Sequence, residues 1–271
     1  MGGRGLAVVY WSAVLAFALP LGLIALTSVS AGTIVGFPMG PLGLRWYGAA
    51  LADPAWRNAF ALSVALALGS AGLAVVAGTW IALAAANFRS RPMRLALLAG
   101  ALVPLVTPGI VHAIALRMAI RTIGLDPGPL AILLGHAIHA TPYAAIMVGV
   151  RRATMPADLV DAARSLGAGP VTAFVRVVVP WLRPALFGAG GLAALTSFDD
   201  FIRSFFLGGY DPTLPVLIFG RLRSGLTPEI NAVATLVLLV GCAAGVVLDR
   251  SGRARRHRPS RFSKTVENQG T

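Results

Sequence analysis

The feature that most constrains this chain is a series of apolar runs, each close to the length needed to cross a lipid bilayer. They cover about 6–29, 58–88, 95–120, 130–150, a stretch that begins near 184, and 232–248. Inside a bilayer the backbone finds no water, so a spanning segment pairs its own N–H and C=O groups, as a helix does. We therefore predict an all-α membrane protein with six transmembrane helices.

Composition indicates the same class. Hydrophobic residues make up 56% of the chain and charged residues only 12%, whereas a soluble domain has about 25% charged residues. We expect one membrane domain over residues 1–271, with its helices within about 6–248. Cys242 is the only cysteine, which excludes a disulfide within the chain, and Lys264 is the only lysine, which excludes a lysine-containing phosphate-binding loop. We therefore expect no cofactor in this chain and any ATP to be bound by another protein.

The first apolar run, from about Leu6 to Val29, has two interpretations. Ser28-Val29-Ser30-Ala31 fits the small-residue pattern of a signal-peptide cleavage site. A signal peptide, however, has an apolar core of about 7 to 15 residues, and this run is longer. We interpret it as the first membrane helix.

The distribution of arginine predicts the orientation. The N-terminus, the loops at about 89–94 and 151–183, and the tail at 250–264 hold 16 of the 23 Lys and Arg residues. The remaining 7 fall in the alternate loops and span ends. Cytoplasmic loops are enriched in positive charge, so we place both termini and the 151–184 loop in the cytoplasm. The net charge of +13 also suggests nucleic-acid binding as an alternative. The positive charges, however, lie at the ends of apolar runs and in the basic tail at 250–271, where they suit lipid headgroups better.

The longest cytoplasmic loop, residues 151–184, contains two short amphipathic patterns. In the first, Pro156, Asp158 and Asp161 fit a helix N-terminus and Gly167 fits its end. One apolar face at helical spacing is formed by Leu159, Ala162, Ala163 and Leu166. The second pattern, with Phe174, Val177, Val178 and Trp181, is expected to end at Pro180. We predict two short helices at an angle, both too short to span a bilayer.

The loop resembles a motif of a known family. Asp161-Ala162-Ala163, three residues, Gly167, nine residues, Val177, one residue and Val179-Pro180 resemble the EAA loop of the permeases of ABC importers, with Asp and Val in place of Glu, Ile and Leu. The resemblance implies a coupling helix that docks in a groove of a cytoplasmic ATPase. It implicates Asp161, Ala162, Ala163, Arg164, Gly167, Phe174 and Pro180 in that contact. The alternative is an ordinary amphipathic loop, re-entrant or interfacial, between two membrane spans.

A broader resemblance extends over about 44–248. The segments that carry it are Asn58, Leu102-Val103-Pro104 with Pro108, Pro142-Tyr143, Ser197-Phe198-Asp199-Asp200-Phe201, Leu214-Pro215-Val216 and Pro228-Glu229-Ile230-Asn231-Ala232. Together they resemble the second permease of spermidine/putrescine importers. Importers of iron complexes, opines and aminophosphonates share much of this pattern. The resemblance implies a bacterial inner-membrane subunit without enzymatic activity. Its partners would be a second permease, two ATPases that bind ATP and magnesium, and a periplasmic solute-binding protein.

Two adjacent carboxylates are the candidate substrate contacts. Asp199 and Asp200 follow about 15 apolar residues, which places them about 22 Å along the helix, in the outer half of the bilayer. Carboxylates at this depth usually face a bundle interior or a water-filled path, where they would suit a polyammonium chain. Alternatively, Arg203 neutralises them, or one of them caps a half-helix.

Weaker candidates lie in the other predicted spans. Tyr143 either lines the path or packs in the bundle. His136 and His139 share a helix face, but the sequence offers no third ligand for a metal. Glu229 either caps the sixth helix or contacts a periplasmic partner.

Two functions of other classes compete with the importer. An ion-gradient-driven carrier would use Asp199, Asp200 and the histidines as a relay, but the sequence has no visible internal repeat, and such a carrier needs no coupling loop. A membrane enzyme is disfavoured because neither an H-E-x-x-H nor a G-x-S-x-G motif occurs.

Overall fold

The computed structural model describes residues 3–32, 41–225 and 227–256, and its regular elements are helical. The first six helices are α1 (Gly3–Ser28), α2 (Arg45–Ala52), α3 (Pro54–Asn87), α4 (Arg91–Val106), α5 (Gly109–Thr122) and α6 (Pro129–Ala153). They are followed by α7 (Asp158–Ser165), α8 (Pro170–Ala173), a π-helical turn (Phe174–Val178), α9 (Val179–Phe198), α10 (Phe201–Leu207), α11 (Leu214–Ser224) and α12 (Pro228–Arg256). The predicted all-α class is confirmed.

Within the described residues, four helical segments are long and apolar enough to cross a membrane. They are Gly5–Ser28, Pro54–Asn87, Pro129–Ala153 and Pro170–Phe198. The first three agree with the predicted first, second and fourth spans to within a few residues. The apolar part of α12, Pro228–Ala243, is shorter.

The third predicted span, about 95–120, is not one continuous helix. Pro104 lies inside α4, but the chain breaks at Thr107 and Pro108, and α4 and α5 meet at 111°. Thr107 is extended, with ψ of 130°, as steric clash with a following proline ring requires. Counted together, the bent pair is a fifth candidate span.

The prediction that the second helix of the 151–184 loop ends at Pro180 is also wrong. The helix that starts at Pro170 continues to Phe198. Immediately before Pro180 it passes through the π-helical turn of Phe174–Val178. In a π-helical turn each backbone N–H bonds to the carbonyl five residues earlier. The wider backbone makes room for the ring of Pro180, which has no N–H and crowds the preceding turn. The second helix is therefore the N-terminal part of a candidate span.

Residues 54–220 form one compact unit, built on the mutual packing of α3, α6 and α9. Its contacts are made by small side chains at helical spacing, which include Ala67, Ala71, Ala74 and Gly78 of α3, Ala140, Ala144 and Ala145 of α6, and Ala185, Ala189 and Ala193 of α9. A Cβ placed on Gly78 would lie 2.6 Å from Cβ of Ala144. Small residues let membrane helices approach closely, and the gain comes from van der Waals contact.

The described parts of residues 1–53 and 221–271 form the other unit, in which α12 packs on α1 and α2. Nδ2 of Asn231 donates to Oγ1 of Thr27 at 2.8 Å. Nη2 of Arg221 donates to Oδ2 of Asp53 at 2.8 Å. Glu229 lies in the first turn of α12, where the helix dipole favours a carboxylate. The outer side of α1 is a continuous apolar surface, with Leu6, Trp11 and Phe17 exposed.

Candidate functional site

The predicted coupling segment contains α7, whose C-terminal end is closed by Gly167. The backbone of Gly167 has φ of +84°, which a residue with a Cβ rarely adopts. Its N–H bonds to the carbonyl of Arg164 at 2.9 Å, and the N–H of Ala168 bonds to that of Ala163 at 3.0 Å. These two bonds define a Schellman cap. The glycine predicted to end the helix does so.

The apolar face of α7 is largely exposed. Leu166 is 90% exposed, Leu159 is also exposed, and none of the residues of α7 is buried. Val160 alone packs against the core cluster that contains Met155 and Val178. An amphipathic helix with an uncovered apolar face is suited to bind a groove on another protein.

The base of this loop is held by Arg151 and Trp181, a contact that sequence reasoning missed. Nε of Arg151 donates to the carbonyl of Trp181 at 3.1 Å, and Nε1 of Trp181 donates to the carbonyl of Arg151 at 3.3 Å. The guanidinium also lies over the indole ring, 4.6 Å from its centroid. The end of α6 is thereby joined to the start of α9.

The other residues of the EAA pattern occupy different environments. Asp161 and Arg164 form a weak 4.0 Å ion pair on the exposed side of α7. Phe174 packs partly buried against the core cluster. A cleft of about 430 Å³ next to α7 is lined by Trp80, Asn87, Arg152, Val160, Arg164 and Phe174, among others. Pro180, inside the continuous helix, does not lie in the loop.

The two predicted carboxylates lie in the break between α9 and α10, and their environments differ. Asp199 is exposed. Asp200 caps α10, because its Oδ1 accepts from the backbone N–H of Arg203 at 2.9 Å. Its Oδ2 lies 2.8 Å from Nε of Arg203, and both side chains are 7% exposed. The Nε–H is not directed at an acceptor, so this contact is an ion pair without a hydrogen bond. Asp200 therefore already has the partner that the alternative interpretation expected.

His136 bridges the same break from α6. Its Nδ1 lies 2.7 Å from Oγ of Ser197, in α9, and its Nε2 lies 3.2 Å from Oγ of Ser204, in α10. The ring is 2% exposed, and Oδ2 of Asp200 lies 3.8 Å from Nε2. The predicted histidine thus has partners at both nitrogens. Sequence reasoning missed the two serines, since nothing in the sequence pairs residues 61 and 68 positions apart.

A row of three rings lies beside this network. The ring centroids of His139 and Tyr143, both on α6, are 5.9 Å apart, and those of His139 and His112 are 6.1 Å apart. His112 lies on α5, the second helix of the bent pair, and was not predicted as a site residue. Within the described residues, no three His, Cys, Asp or Glu side chains are placed to hold a metal ion.

Phenylalanines flank the two carboxylates in the sequence, and each packs on another ring. Phe198 packs edge-to-face on Phe60 with centroids 6.0 Å apart, and Phe201 lies 4.8 Å from Phe219. Asp199 is thus an exposed carboxylate next in sequence to packed aromatic residues.

Comparison with known proteins identifies the family. Residues 74–258 match the family described as binding-protein-dependent transport system inner membrane component. The chain belongs to this family. It is a permease subunit of an ABC importer, and the predicted membrane location is confirmed in that it is an inner-membrane component.

Two curated relatives cover most of the permease. The putrescine transport system permease protein PotI of Escherichia coli (strain K12) is 35% identical over 224 residues, which are 78% of this chain and 79% of that protein. The molybdenum transport system permease protein ModB of Mycobacterium bovis is 32% identical over 248 residues, which are 84% and 92% of the two chains. The first relative confirms the resemblance to the spermidine/putrescine subgroup. As permease subunits, both agree with a transport role for this chain.

The fold of the permease also matches a solved structure. A chain of a bacterial ABC transporter for import of the acidic polysaccharide alginate superposes with a TM-score of 0.69 at 17% identity, covering 92% of this chain and 95% of that one. At this identity the match shows the fold of an ABC transporter permease.

Proposed function

We propose that α7 is the element through which ATP hydrolysis in a partner drives this permease. The observation that carries the proposal is the exposed apolar face of a helix with a fixed C-terminal end. Asp161, Ala162, Ala163 and Arg164 lie on this helix, and Gly167 fixes where it ends. Phe174 packs against the core cluster next to this helix, and Pro180 lies in α9, the span that would move with α7.

The assembly that follows from the family has several subunits. This chain pairs with a second permease, two ATPases bind ATP and magnesium below them, and a periplasmic binding protein delivers solute from above. The chain itself hydrolyses nothing and holds no cofactor. Closure of the ATPases moves α7, and the hydrogen-bonded link between Arg151 and Trp181 carries that movement into α6 and α9.

We infer that the chain forms a single membrane domain with six spans and both termini in the cytoplasm. The four long helices, the bent pair α4 and α5, and α12 together make six crossings. The basic tail at 250–271 then meets anionic headgroups of the inner leaflet. Residues 257–271 lie outside the described part of the chain.

The solute that we propose is a polyamine, with putrescine as the first candidate. The likeness to PotI and the exposed carboxylate of Asp199 support a cationic solute. Tyr143 and Asp200 were predicted to contact it as well. Asp200 is held by Arg203, so Asp199 is the carboxylate with free capacity. Iron complexes, opines and aminophosphonates, and molybdate because of the likeness to ModB, are the alternatives.

Co-purification tests the coupling. The tagged chain is isolated in detergent from membranes of its own host, and ATP hydrolysis is measured per permease. Gly167→Asp is compared with Gly169→Asp, because Gly169 has ordinary extended backbone and open space at its Cβ. We expect ATPase activity with wild type and Gly169→Asp and its loss with Gly167→Asp. Equal activity in all three would reject the coupling role of α7.

Uptake tests the solute. Cells with and without this chain are given labelled putrescine, with unlabelled spermidine or molybdate as competitor. We expect uptake that depends on this chain and is inhibited by spermidine. Inhibition by molybdate alone would favour an anion importer. Uptake that stops at once on collapse of the proton gradient, with ATP intact, would favour an ion-driven carrier.

A further inference from the structure

The cleft next to α7 is lined by residues from the C-terminal parts of α3, α6 and α7. Arg152 is in the last turn of α6 and Arg164 is in the last turn of α7, and both line the cleft together with Trp80 and Asn87 of α3. The volume of about 430 Å³ is within the range of small-molecule sites, about 300–1,000 Å³. The cleft is therefore large enough for a polyatomic group.

The charge of this cleft is positive. Arg152 and Arg164 are the charged residues that line it, and an arginine side chain does not lose its proton in a protein. Arg164 has only the weak 4.0 Å ion pair with Asp161, in which both side chains are exposed. Among the described residues, no carboxylate forms an ion pair with Arg152. The chain itself therefore leaves positive charge in the cleft that an anion would balance.

The position of the cleft along α3 matches the headgroup layer of a membrane. With 34 residues at about 1.5 Å each, α3 is longer than the roughly 30 Å hydrocarbon core. Trp80 is 66% exposed, and exposed tryptophans of membrane proteins concentrate where the core meets the headgroups. Asn87 lies about 10 Å further along the helix, and the headgroup layer is about 5–8 Å thick. The cleft between the two residues therefore spans this layer.

Exposed apolar side chains share the lining with the arginines. Trp80 and Val171 are exposed, the latter by 75%, and Leu83 lines the same cleft. A soluble anion would leave these surfaces in water, whereas the glycerol backbone and acyl chains of a lipid would cover them. The combination of two arginines with apolar surface favours an amphiphilic anion.

We propose that this cleft binds the phosphate headgroup of an anionic phospholipid. The guanidinium groups of Arg152 and Arg164 donate charge-assisted hydrogen bonds to the phosphate oxygens, and the indole of Trp80 packs on the acyl chains. The bound lipid then joins the end of α6 to α7 directly. This inference goes beyond the proposed coupling and the proposed solute, and it depends on neither.

Lipid retention tests the site. The full-length chain is purified in detergent and titrated with phosphatidylglycerol or phosphatidylcholine, and bound lipid is counted by native mass spectrometry. We expect wild type to prefer phosphatidylglycerol, and the double variant Arg152→Gln/Arg164→Gln to bind it about tenfold or more weakly, as the loss of hydrogen bonds to a charged group does. Arg183→Gln is the matched control and should bind like wild type, since Arg183 is an exposed arginine that does not line the cleft.

Four outcomes would overturn the inference. The double variant could bind as much phosphatidylglycerol as wild type, or wild type could bind both lipids equally. Displacement of the lipid by glycerophosphate would assign the cleft to a soluble phosphate. Exclusion of the lipid by co-purified ATPase would assign it to the contact with that partner. None of these outcomes bears on the effect of Gly167→Asp or on uptake of putrescine.

A measurement on wild type covers variants that fail to fold. A phosphatidylglycerol analogue with a photoreactive group in its headgroup is irradiated with the purified chain, and labelled peptides are identified by mass spectrometry. We expect labels within residues 80–87 and 152–164 that excess phosphatidylglycerol suppresses and phosphatidylcholine does not. Labels spread evenly over the ends of the spans would contradict a specific site.

Discussion

Nδ1 of His136 lies 2.7 Å from Oγ of Ser197, and this hydrogen bond joins the middle of α6 to the last turn of α9. The other ring nitrogen reaches Ser204 across the break. One buried side chain therefore connects both sides of the point at which α9 ends and α10 begins. This arrangement fixes the position of Asp199 and Asp200 relative to α6.

Replacement of His136 by leucine removes both bonds and leaves two buried hydroxyls. We expect a loss of about 1–3 kcal/mol in stability, measured as a lower melting temperature of the purified protein in detergent. His136→Gln retains one polar end and should lose less. Equal melting temperatures for the two variants would show that the bonds contribute nothing.

Because Arg203 and Asp200 are paired, we expect the single variant Arg203→Leu to lose more stability than the double variant. Arg203→Leu leaves a buried carboxylate without its partner, which costs about 3–5 kcal/mol. The double variant with Asp200→Asn removes both charges and should recover most of that loss, because asparagine also caps a helix. Thermal unfolding in detergent is measured for Arg203→Leu, for Asp200→Asn and for the double variant, each compared with wild type. If the loss of stability in the double variant equals the sum of the two single losses, the predicted coupling is absent.

Asp199→Asn should change transport and not stability. The side chain is exposed, and the structure gives it no ion pair, in contrast to Asp200. We therefore expect an unchanged melting temperature together with reduced putrescine uptake. A drop in melting temperature as large as that of Asp200→Ala would assign Asp199 a structural role instead.

Gly78→Leu should prevent close packing of α3 on α6. A Cβ at this position would meet Ala144 at 2.6 Å and the backbone nitrogen of Ala145 at 2.7 Å, and neither can move aside easily. Overpacking of this kind costs about 1–3 kcal/mol or more. The measurement is the fraction of detergent-solubilised protein that elutes as a single species.

Gly72→Leu on the same helix is the matched control, since a Cβ there meets nothing within 4 Å. If both variants elute like wild type, the close approach of the two helices is not needed for folding.

Leu166→Ser should weaken ATPase binding without affecting the fold. Leu166 is 90% exposed, so a polar residue there costs the isolated chain little. A buried leucine in an interface contributes about 1.5–3 kcal/mol, which corresponds to roughly 10- to 150-fold in affinity. Co-purified ATPase per permease measures it. Leu44→Ser, 69% exposed at the start of α2, should retain wild-type binding.

Local sequence patterns were sufficient for much of this fold. Apolar runs predicted three spans to within a few residues, and Gly167 predicted the end of α7 because only a residue without a Cβ readily takes its backbone angles. Prolines were harder to interpret. Pro104 is accommodated, Pro108 breaks a helix, and Pro180 follows a π-helical turn. Whether the helix continues at a proline depends on two things: whether the neighbouring turns can widen around the ring, and whether the carbonyl that loses its N–H partner finds another donor.

The sequence by itself determined the class of the protein, its helices and the segment that resembles a coupling loop, because hydropathy and helix ends are properties of adjacent residues. Only the tertiary structure decided which polar groups meet. Asp199 and Asp200 are neighbours in sequence, yet Asp200 is buried against Arg203 while Asp199 is exposed. His112 joins His139 only because α5 turns away from α4 and packs beside α6. Burial and pairing are set by packing between distant segments, and no local pattern encodes them.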